Sequence, residues 1–251
     1  MLFKKEEKST TEIVNEIQNE VYKYLKPLGF RKHGRTFCRF VDTDIAQVIE
    51  FQVGLAIKDC NHCLWVHIGT RVPECVERTF FKEIPMKKFY HEYECNLRSE
   101  LGYIVDKKDT YYDLRKRYDK YAKDIIKKLE RYVIPVFDLL CSRDAVLKYR
   151  RDYSNFDTLN SHLVLLEEAM IYGRIGNIEK ATELFVEYYN NSQQELFERR
   201  KYILEKGILV EEGQLKGMYR LPDRSFASLP KEDAGHLAYL QELAKELNIQ
   251  L

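Results

Sequence analysis

The chain has 251 residues, and its 41 Lys and Arg residues nearly balance its 40 Asp and Glu residues, which leaves a net charge of +1 at pH 7. This balance excludes a global electrostatic field that would recruit nucleic acid or an anionic membrane. No apolar run reaches the roughly 20 residues of a membrane-spanning helix, residues 1–8 lack the apolar segment of a signal peptide, and six irregularly spaced cysteines indicate reduced thiols. We therefore expect a cytoplasmic protein.

The first predicted helix begins with a capping box formed by Ser9 and Glu12, in which each side chain satisfies a backbone N–H group of the other residue. Apolar residues then recur at helical spacing over residues 13–28. Pro27 and Gly29 end this helix.

Residues 30–103 contain four stretches in which apolar and polar side chains alternate, as they do in half-buried strands. Short polar connections at 42–44 and 58–62 favour an antiparallel meander. Each stretch has an apolar side, and the four apolar sides are predicted to form the core. Their first residues are, in order, Phe30, Ile49, Leu64 and Cys95. The polar sides, which would together form one sheet face, are Arg31, His33, Arg35, Phe37 and Arg39; Glu50 and Gln52; Trp65, His67 and Arg71; and Asn96, Arg98 and Glu100.

The chain is predicted to be helical after residue 110. A long helix is expected at 111–140, interrupted near Pro135, and it is followed by a helix–turn–helix hairpin and a closing amphipathic helix at 234–247. Three further capping-box matches are Thr110 with Asp113, Ser154 with Asp157, and Ser192 with Glu195. We therefore predict an α+β fold with an N-terminal helix and an antiparallel sheet of about four strands in domain 1–150. An α-helical region at 151–251 follows.

Four ordered segments, LKPLGFRKHGRTFCRF, VIEFQ, VHIGTRVPE and ECNLRSELG, resemble the bacterial family catalogued as domain of unknown function 4304. The resemblance covers roughly residues 10–140. It implies an N-terminal helix with an antiparallel sheet, and no mechanism. His67 and Glu100 depart from the residues that this family resemblance leads us to expect, and both lie on the predicted polar face.

A second segment, YGRIGNIEKATELF, resembles the inner part of a tetratricopeptide repeat. Tyr172, Gly176, Ala181 and Phe185 stand at matching offsets, and Ala169 supplies the small residue of the first helix. Such repeats need roughly three stacked copies to be stable alone. The alternatives are a helical hairpin packed on its own domain and a peptide-binding array with a degraded neighbour at 192–207.

Cys60 and Cys63 form a CxxC pair in a predicted turn, with His62 between them. Two-residue spacing lets both thiolates reach one zinc ion, but a structural zinc site needs four ligands and no second CxxC is present. We therefore predict no metal site and no cofactor.

The predicted polar face allows four interpretations. Its basic residues with Phe37 and Trp65 could hold phosphates and stack on bases, or its mixed charge and aromatic side chains could bind a protein. It could also be covered or paired internally, or it could be catalytic. A single bulge at 30–41 would exchange the faces of the first strand and bury Phe37.

No glycine-rich phosphate loop, nucleophile elbow or HExxH motif is present, so no catalytic residue is predicted. A set of His67, Glu50 and Cys95 is disfavoured, because Cys95 is expected on the opposite face. We predict a non-enzymatic protein-interaction module, of which an immunity or antitoxin protein is one form, binding through the polar face or the helical hairpin. The alternative is a nucleic-acid or anionic-ligand binder that uses Arg31, Arg35, Arg71 and Trp65. The predicted binding residues are Arg31, Arg35, Phe37, Arg39, Glu50, Gln52, Trp65, His67, Arg71 and Arg98.

Overall fold

A computed structural model describes residues 8–54, 62–116, 118–150, 163–230 and 235–251, which fall into two compact units. The N-terminal unit contains residues 1–78 and 83–164, and the C-terminal unit contains residues 79–82 and 165–251. The predicted domain boundary near residue 150 stays a prediction, because residues 151–162 lie outside the described ranges. The predicted fold class is confirmed: a helix and an antiparallel sheet precede a mainly helical region.

The first helix, α1, spans Thr10–Leu25. Its predicted capping box is confirmed, because the Glu12 carboxylate accepts hydrogen bonds from the Ser9 backbone N–H at 2.8 Å and the Ser9 hydroxyl accepts one from Glu12 N–H at 3.3 Å. The predicted end is also confirmed. A 3-10 turn at Lys26–Leu28 stops at Gly29, whose φ of 88° is a left-handed conformation that glycine adopts without a steric penalty.

The main sheet belongs to the N-terminal unit and has the strand order β1-β2-β3-β4-β5, with a sixth strand, β6, also paired to β4. All of its pairings are antiparallel. Its strands are β1 (Arg31–His33), β2 (Thr36–Val41), β3 (Ile45–Gly54), β4 (Cys63–Arg71), β5 (Leu97–Glu100) and β6 (Tyr112–Asp113). Two short helices, α2 (Pro73–Glu77) and α3 (Leu101–Asp106), flank β5 in the chain.

The stretch predicted as one strand at 30–41 is instead a hairpin, and this corrects the predicted sheet face. The chain reverses at Gly34 and Arg35, so that His33 lies opposite Thr36. In a two-residue hairpin, residues i and i+3 face each other, which exchanges odd and even positions between the two strands. Arg31 and His33 therefore share a face with Cys38, whereas the side chains of β2 that were predicted on the polar face point to the core.

The predicted long helix at 111–140 is wrong in its first part. Residues Tyr112 and Asp113 pair with Leu64 and Cys63 of β4, because this end of β4 lies beyond its pairing with β5. Helix α4 begins only at Tyr121 and ends at Lys128, and a π-helical turn at Leu129–Val133 leads into α5 at Ile134–Leu139. The predicted interruption near Pro135 is confirmed. Helix α6 follows at Arg143–Tyr149.

The C-terminal unit contains the predicted helical hairpin, formed by α7 (Val164–Arg174) and α8 (Ile178–Lys206). The predicted new helix start at Ser192 is wrong, because α8 continues through it, and the Ser154 match lies outside the described residues. Three two-residue strands form a second sheet, followed by the predicted closing helix: β7 (Ile208–Leu209), β8 (Tyr219–Arg220), β9 (Phe226–Ala227) and α9 (Gly235–Glu246). Within the described ranges, no helix combines the length and apolar character needed to cross a membrane.

Candidate binding cleft

One face of the main sheet carries a polar row that crosses all five strands from β1 to β5. Strand register sets its members directly opposite one another, and they are His33, Thr36, Glu50, His67 and Glu100. Directly opposed side chains of an antiparallel pair point to the same face, with Cβ atoms about 4.5–5.5 Å apart. We call these five residues the polar row.

A loop at residues 91–94 is fixed to the middle of the polar row through Glu50. One Glu50 oxygen accepts a hydrogen bond from the backbone N–H of Glu92 at 2.8 Å, and the other lies 3.1 Å from Nδ1 of His91. Charge-assisted contacts of this kind are stronger than neutral hydrogen bonds. Glu50 therefore has a positioning role for the loop.

The same loop is held by Arg98, which lies on the same sheet face opposite Gly69. Arg98 donates from Nε and Nη2 to the two carboxylate oxygens of Glu92 at 2.9 and 3.0 Å. This bidentate hydrogen bond raises the pKa of Arg98 and balances the charge of the buried Glu92 carboxylate. The positive charge of Arg98 is thus compensated inside the chain.

The end of the polar row is acidic in character. Nδ1 of His67 lies 3.8 Å from Oε1 of Glu100. Burial raises the pKa of the Glu100 carboxyl; His67 opposes this effect, and the negative charges of Asp109 and Glu92 add to it. Burial, with a smaller contribution from these two carboxylates, therefore disfavours the ionised form of Glu100.

A cleft of about 460 Å³ opens beside the polar row. Its lining side chains include Arg35, Glu50, Gln52, His67 and Tyr93. Arg35 lies exposed in the β1–β2 turn and has no ion-pair partner among the residues that the structure describes. Tyr93 is 67% exposed, yet its ring stacks on His91 with 5.3 Å between centroids and 6° between planes.

The loop residues His91, Glu92 and Tyr93 were not among the predicted binding residues. They lie at the end of a stretch without periodicity at 73–93, where alternation of side chains assigns no face. The available signal was local composition, because HEYE at 91–94 places an aromatic residue between carboxylates. Their position over the sheet depends on contacts with Glu50 and Arg98, which lie elsewhere in the sequence.

Two predicted members of the polar face, Phe37 and Arg39, lie on the opposite, core face of the sheet. Phe37 is fully buried, with its ring centroid 5.9 Å from that of Tyr22 and 5.6 Å from that of Phe51. Arg39 is held by the Gln47 side chain at 2.7 Å, the Leu28 carbonyl at 3.1 Å and the Asp138 carboxylate at 2.7 Å. The face reversal at the β1–β2 hairpin explains both positions, and both residues are structural.

Trp65 and Arg71 lie on the predicted face but are buried. Trp65 donates from Nε1 to Asp109 at 3.0 Å and is 7% exposed. Arg71 is 3% exposed, donates to Glu77 at 2.6 Å and has its guanidinium 4.4 Å from the centre of the Tyr90 ring. Neither side chain is accessible for base stacking or phosphate binding.

Two other residues of the predicted polar face differ in exposure. Arg31 is exposed on β1, whereas Asn96 is buried and accepts a hydrogen bond from Val72 N–H.

The expectation that Cys95 lies on the face opposite His67 is wrong. Cys95 precedes β5, and a Cβ atom added to Gly69 would lie 2.7 Å from its sulfur, which places the thiol on the same face as His67. It packs in a buried cluster with Cys38, Ala46, Val48 and Tyr90. Burial raises the pKa of the Cys95 thiol well above its usual value, so this thiol is unsuited to act as a nucleophile.

The CxxC pair is only partly described. Cys60 lies outside the described residues, and Cys63 is buried at the start of β4. Among the described residues, Cys38, Cys75, Cys95 and Cys141 form no disulfide. Over the described part of the chain, no group of three or more His, Cys, Asp or Glu side chains is arranged to hold a metal ion.

We expect Cys141 to react rapidly with iodoacetamide in the native protein, because it is exposed, and Cys38 and Cys95 to react only after unfolding. Burial raises the pKa of Cys38 to about 11, so little reactive thiolate exists near neutral pH. Peptide mass spectrometry of protein labelled before and after urea treatment measures the difference. Native labelling of Cys38 at the rate of Cys141 would contradict the packing described for the cluster.

Residues 21–139 match the model of the family described as domain of unknown function DUF4304. This agrees with the resemblance seen in the N-terminal sequence, and the matched range contains the polar row and the cleft. No curated protein matches the chain, and no solved structure does. The tetratricopeptide-like character of the α7–α8 hairpin and a bacterial origin stay predictions.

Proposed function

We propose that the N-terminal unit binds another protein through this cleft, with Tyr93 and Arg35 as its main contact residues. The observation that carries the proposal is the exposed but oriented ring of Tyr93, which stacks on His91 while Glu50 contacts His91 in turn. Tyr and Arg are enriched among the residues that dominate binding free energies at protein interfaces. A side chain that is oriented before binding also loses less conformational entropy when a partner arrives.

A nucleic acid or a small anion is the alternative ligand, and the charges around the cleft argue against it. Glu50 and Glu100 stand directly opposite His67 on the two neighbouring strands, so carboxylates lie on both sides of the imidazole. Two residues of that alternative, Trp65 and Arg71, are buried in pairs of their own. Mixed charge around an exposed tyrosine supports a protein partner. A protein surface can offer an apolar contact for the tyrosine ring and charged groups of both signs for the cleft residues.

The test is affinity capture from the native host with the full chain, comparing wild type with Tyr93→Ala and Arg35→Glu. We expect one protein, recovered in near-equal amount with the wild-type chain, to be lost with both variants. With that partner purified, calorimetry should show affinity reduced about tenfold or more for Tyr93→Ala, the range of an interface residue that dominates binding.

Matched controls are Tyr202→Ala and Arg199→Glu, which change exposed residues of the same types on α8. Recovery of the same partners by wild type and both cleft variants would overturn the proposal and direct attention to the α7–α8 hairpin. Recovery of nuclease-sensitive material, with affinity falling steeply as salt rises, would favour the nucleic-acid alternative.

A further inference from the structure

The small sheet of the C-terminal unit exposes an unusual amount of apolar side chain. Its register sets Ile208, Arg220 and Phe226 directly opposite one another on β7, β8 and β9, so these three side chains share one face. Ile208 is 63% exposed and Phe226 is 42% exposed. In each of these strands only two residues are paired, and no described element of this unit buries the face.

This face continues into a groove of about 530 Å³. Leu209 and Leu215, which also line the groove, are 48% and 39% exposed. Four large apolar side chains around one groove differ from the single exposed apolar residues that are normal on protein surfaces, and contiguous exposed apolar area marks interaction sites. We call the surface formed by Ile208, Leu209, Leu215 and Phe226 the apolar groove.

The charged side chains at the apolar groove indicate what kind of surface it fits. Glu212 and Arg220 line it, one negative and one positive, and both are exposed. Neither has an ion-pair partner within the part of the chain that the structure describes. The groove therefore has no net charge of its own, and a complementary surface would be apolar with one cation and one anion at its border.

The apolar groove of a second copy of this chain is such a surface, since it is apolar and carries one cation and one anion. We infer that the protein self-associates through the apolar groove in a two-fold symmetric dimer, in which Glu212 of each copy pairs with Arg220 of the other. A two-fold interface brings the same patch of both subunits together, so a patch that carries one acid and one base can be complementary to itself. Burial of the four apolar side chains would supply the main favourable free energy, and the two equivalent ion pairs would set the register.

Analytical ultracentrifugation of the full chain over a wide concentration range tests the inference. The wild-type chain should shift from the 30.0 kDa monomer toward twice that mass as concentration rises. Ile208→Ser should abolish the shift, because it replaces the most exposed of the four apolar side chains of the groove with a polar one. The matched control is Ile175→Ser, which changes an isoleucine of 43% exposure in the α7–α8 turn and should leave the shift unchanged.

Charge reversal separates two-fold association from nonspecific contact between apolar surfaces. Arg220→Glu alone and Glu212→Arg alone should each weaken the dimer about tenfold at low salt, because each creates two like-charge contacts. The double variant Glu212→Arg/Arg220→Glu should restore wild-type affinity. An equimolar mixture of the two single variants should also dimerise, because every contact between the two different chains is then attractive.

A wild-type chain that stays monomeric at every concentration would overturn the inference and leave the groove to a different protein. Dimerisation that Ile208→Ser does not weaken, or that the double reversal does not restore, would also overturn it. Circular dichroism and the melting temperature of each variant show whether the C-terminal unit is still folded. The inference is independent of the cleft, since Tyr93→Ala should leave the dimer unchanged.

Discussion

Replacing Phe37 with alanine should lower the free energy of unfolding by about 3–5 kcal/mol, the range for large aromatic truncations in a core. Phe37 is fully buried between α1 and the sheet, where it contacts Tyr22 in a stacked geometry and Phe51 edge-on. Its removal loses both the burial of the ring and the two aromatic contacts, and it leaves a cavity that the neighbouring strands cannot fill completely.

This measurement decides between the two possible faces for β2. If Phe37 lay on an exposed polar face, as simple alternation from residue 30 predicts, the substitution would change stability by only about 0.5 kcal/mol. Urea unfolding followed by circular dichroism gives the difference. Phe197→Ala is the matched control, because Phe197 on α8 is 61% exposed and its loss should be nearly neutral.

The second large effect is expected at Arg143, which joins α6 to two acidic residues of the N-terminal unit. Its guanidinium donates to both oxygens of Glu74 at 2.8 Å and to both oxygens of Asp44 at 2.9 and 3.0 Å. Burial alone would lower the pKa of Arg143, but hydrogen bonds to the two carboxylates raise it above its usual value. The Glu74 side chain is completely inaccessible to solvent, so it depends on Arg143 for charge compensation.

Arg143→Ala should therefore cost about 3–5 kcal/mol of unfolding free energy, because it leaves a buried carboxylate without its cation. The double variant Arg143→Ala/Glu74→Gln should recover part of this loss, since it removes the uncompensated charge. Arg115→Ala is the surface comparison. Its side chain is 52% exposed beside Asp113, and a surface pair contributes at most about 1 kcal/mol.

Chemical denaturation of the wild type, these three variants and the single variant Glu74→Gln measures these differences. A loss for Arg143→Ala no larger than that for Arg115→Ala would contradict the description of a buried ion cluster. Full additivity of the two changes in the double variant would contradict the coupling between Arg143 and Glu74, because residues in one network should not behave independently.

Local sequence signals predicted those elements whose formation depends on neighbouring residues. The capping box at Ser9 and the glycine at position 29 mark both ends of α1. Alternation placed Glu50 and His67 on one face of β3 and β4, and the observed register sets them directly opposite each other. The helical period of the last segment likewise predicted α9.

Two local sequence patterns that fit more than one structure led to wrong predictions. Gly34 lies inside an alternating stretch, and a glycine there is compatible with a strand, a bulge or a two-residue turn. The turn occurs, and it moves Phe37 and Arg39 to the core. In the same way Thr110 with Asp113 matches a helix cap, but the neighbouring residues instead pair with β4.

The chain's own amino-acid pattern determined that there is an N-terminal helix, an antiparallel sheet and a helical region after it, because helical and strand periodicities are properties of adjacent residues. Only the tertiary structure decided which polar side chains meet. The cleft brings together the β1–β2 turn, the polar row and the loop at 91–94, and the contacts that hold them, from Glu50 to Glu92 and from Arg98 to Glu92, join separate strands and loops. Periodicity shows whether a side chain lies on the core face of its own strand, but pairing between strands determines its neighbours.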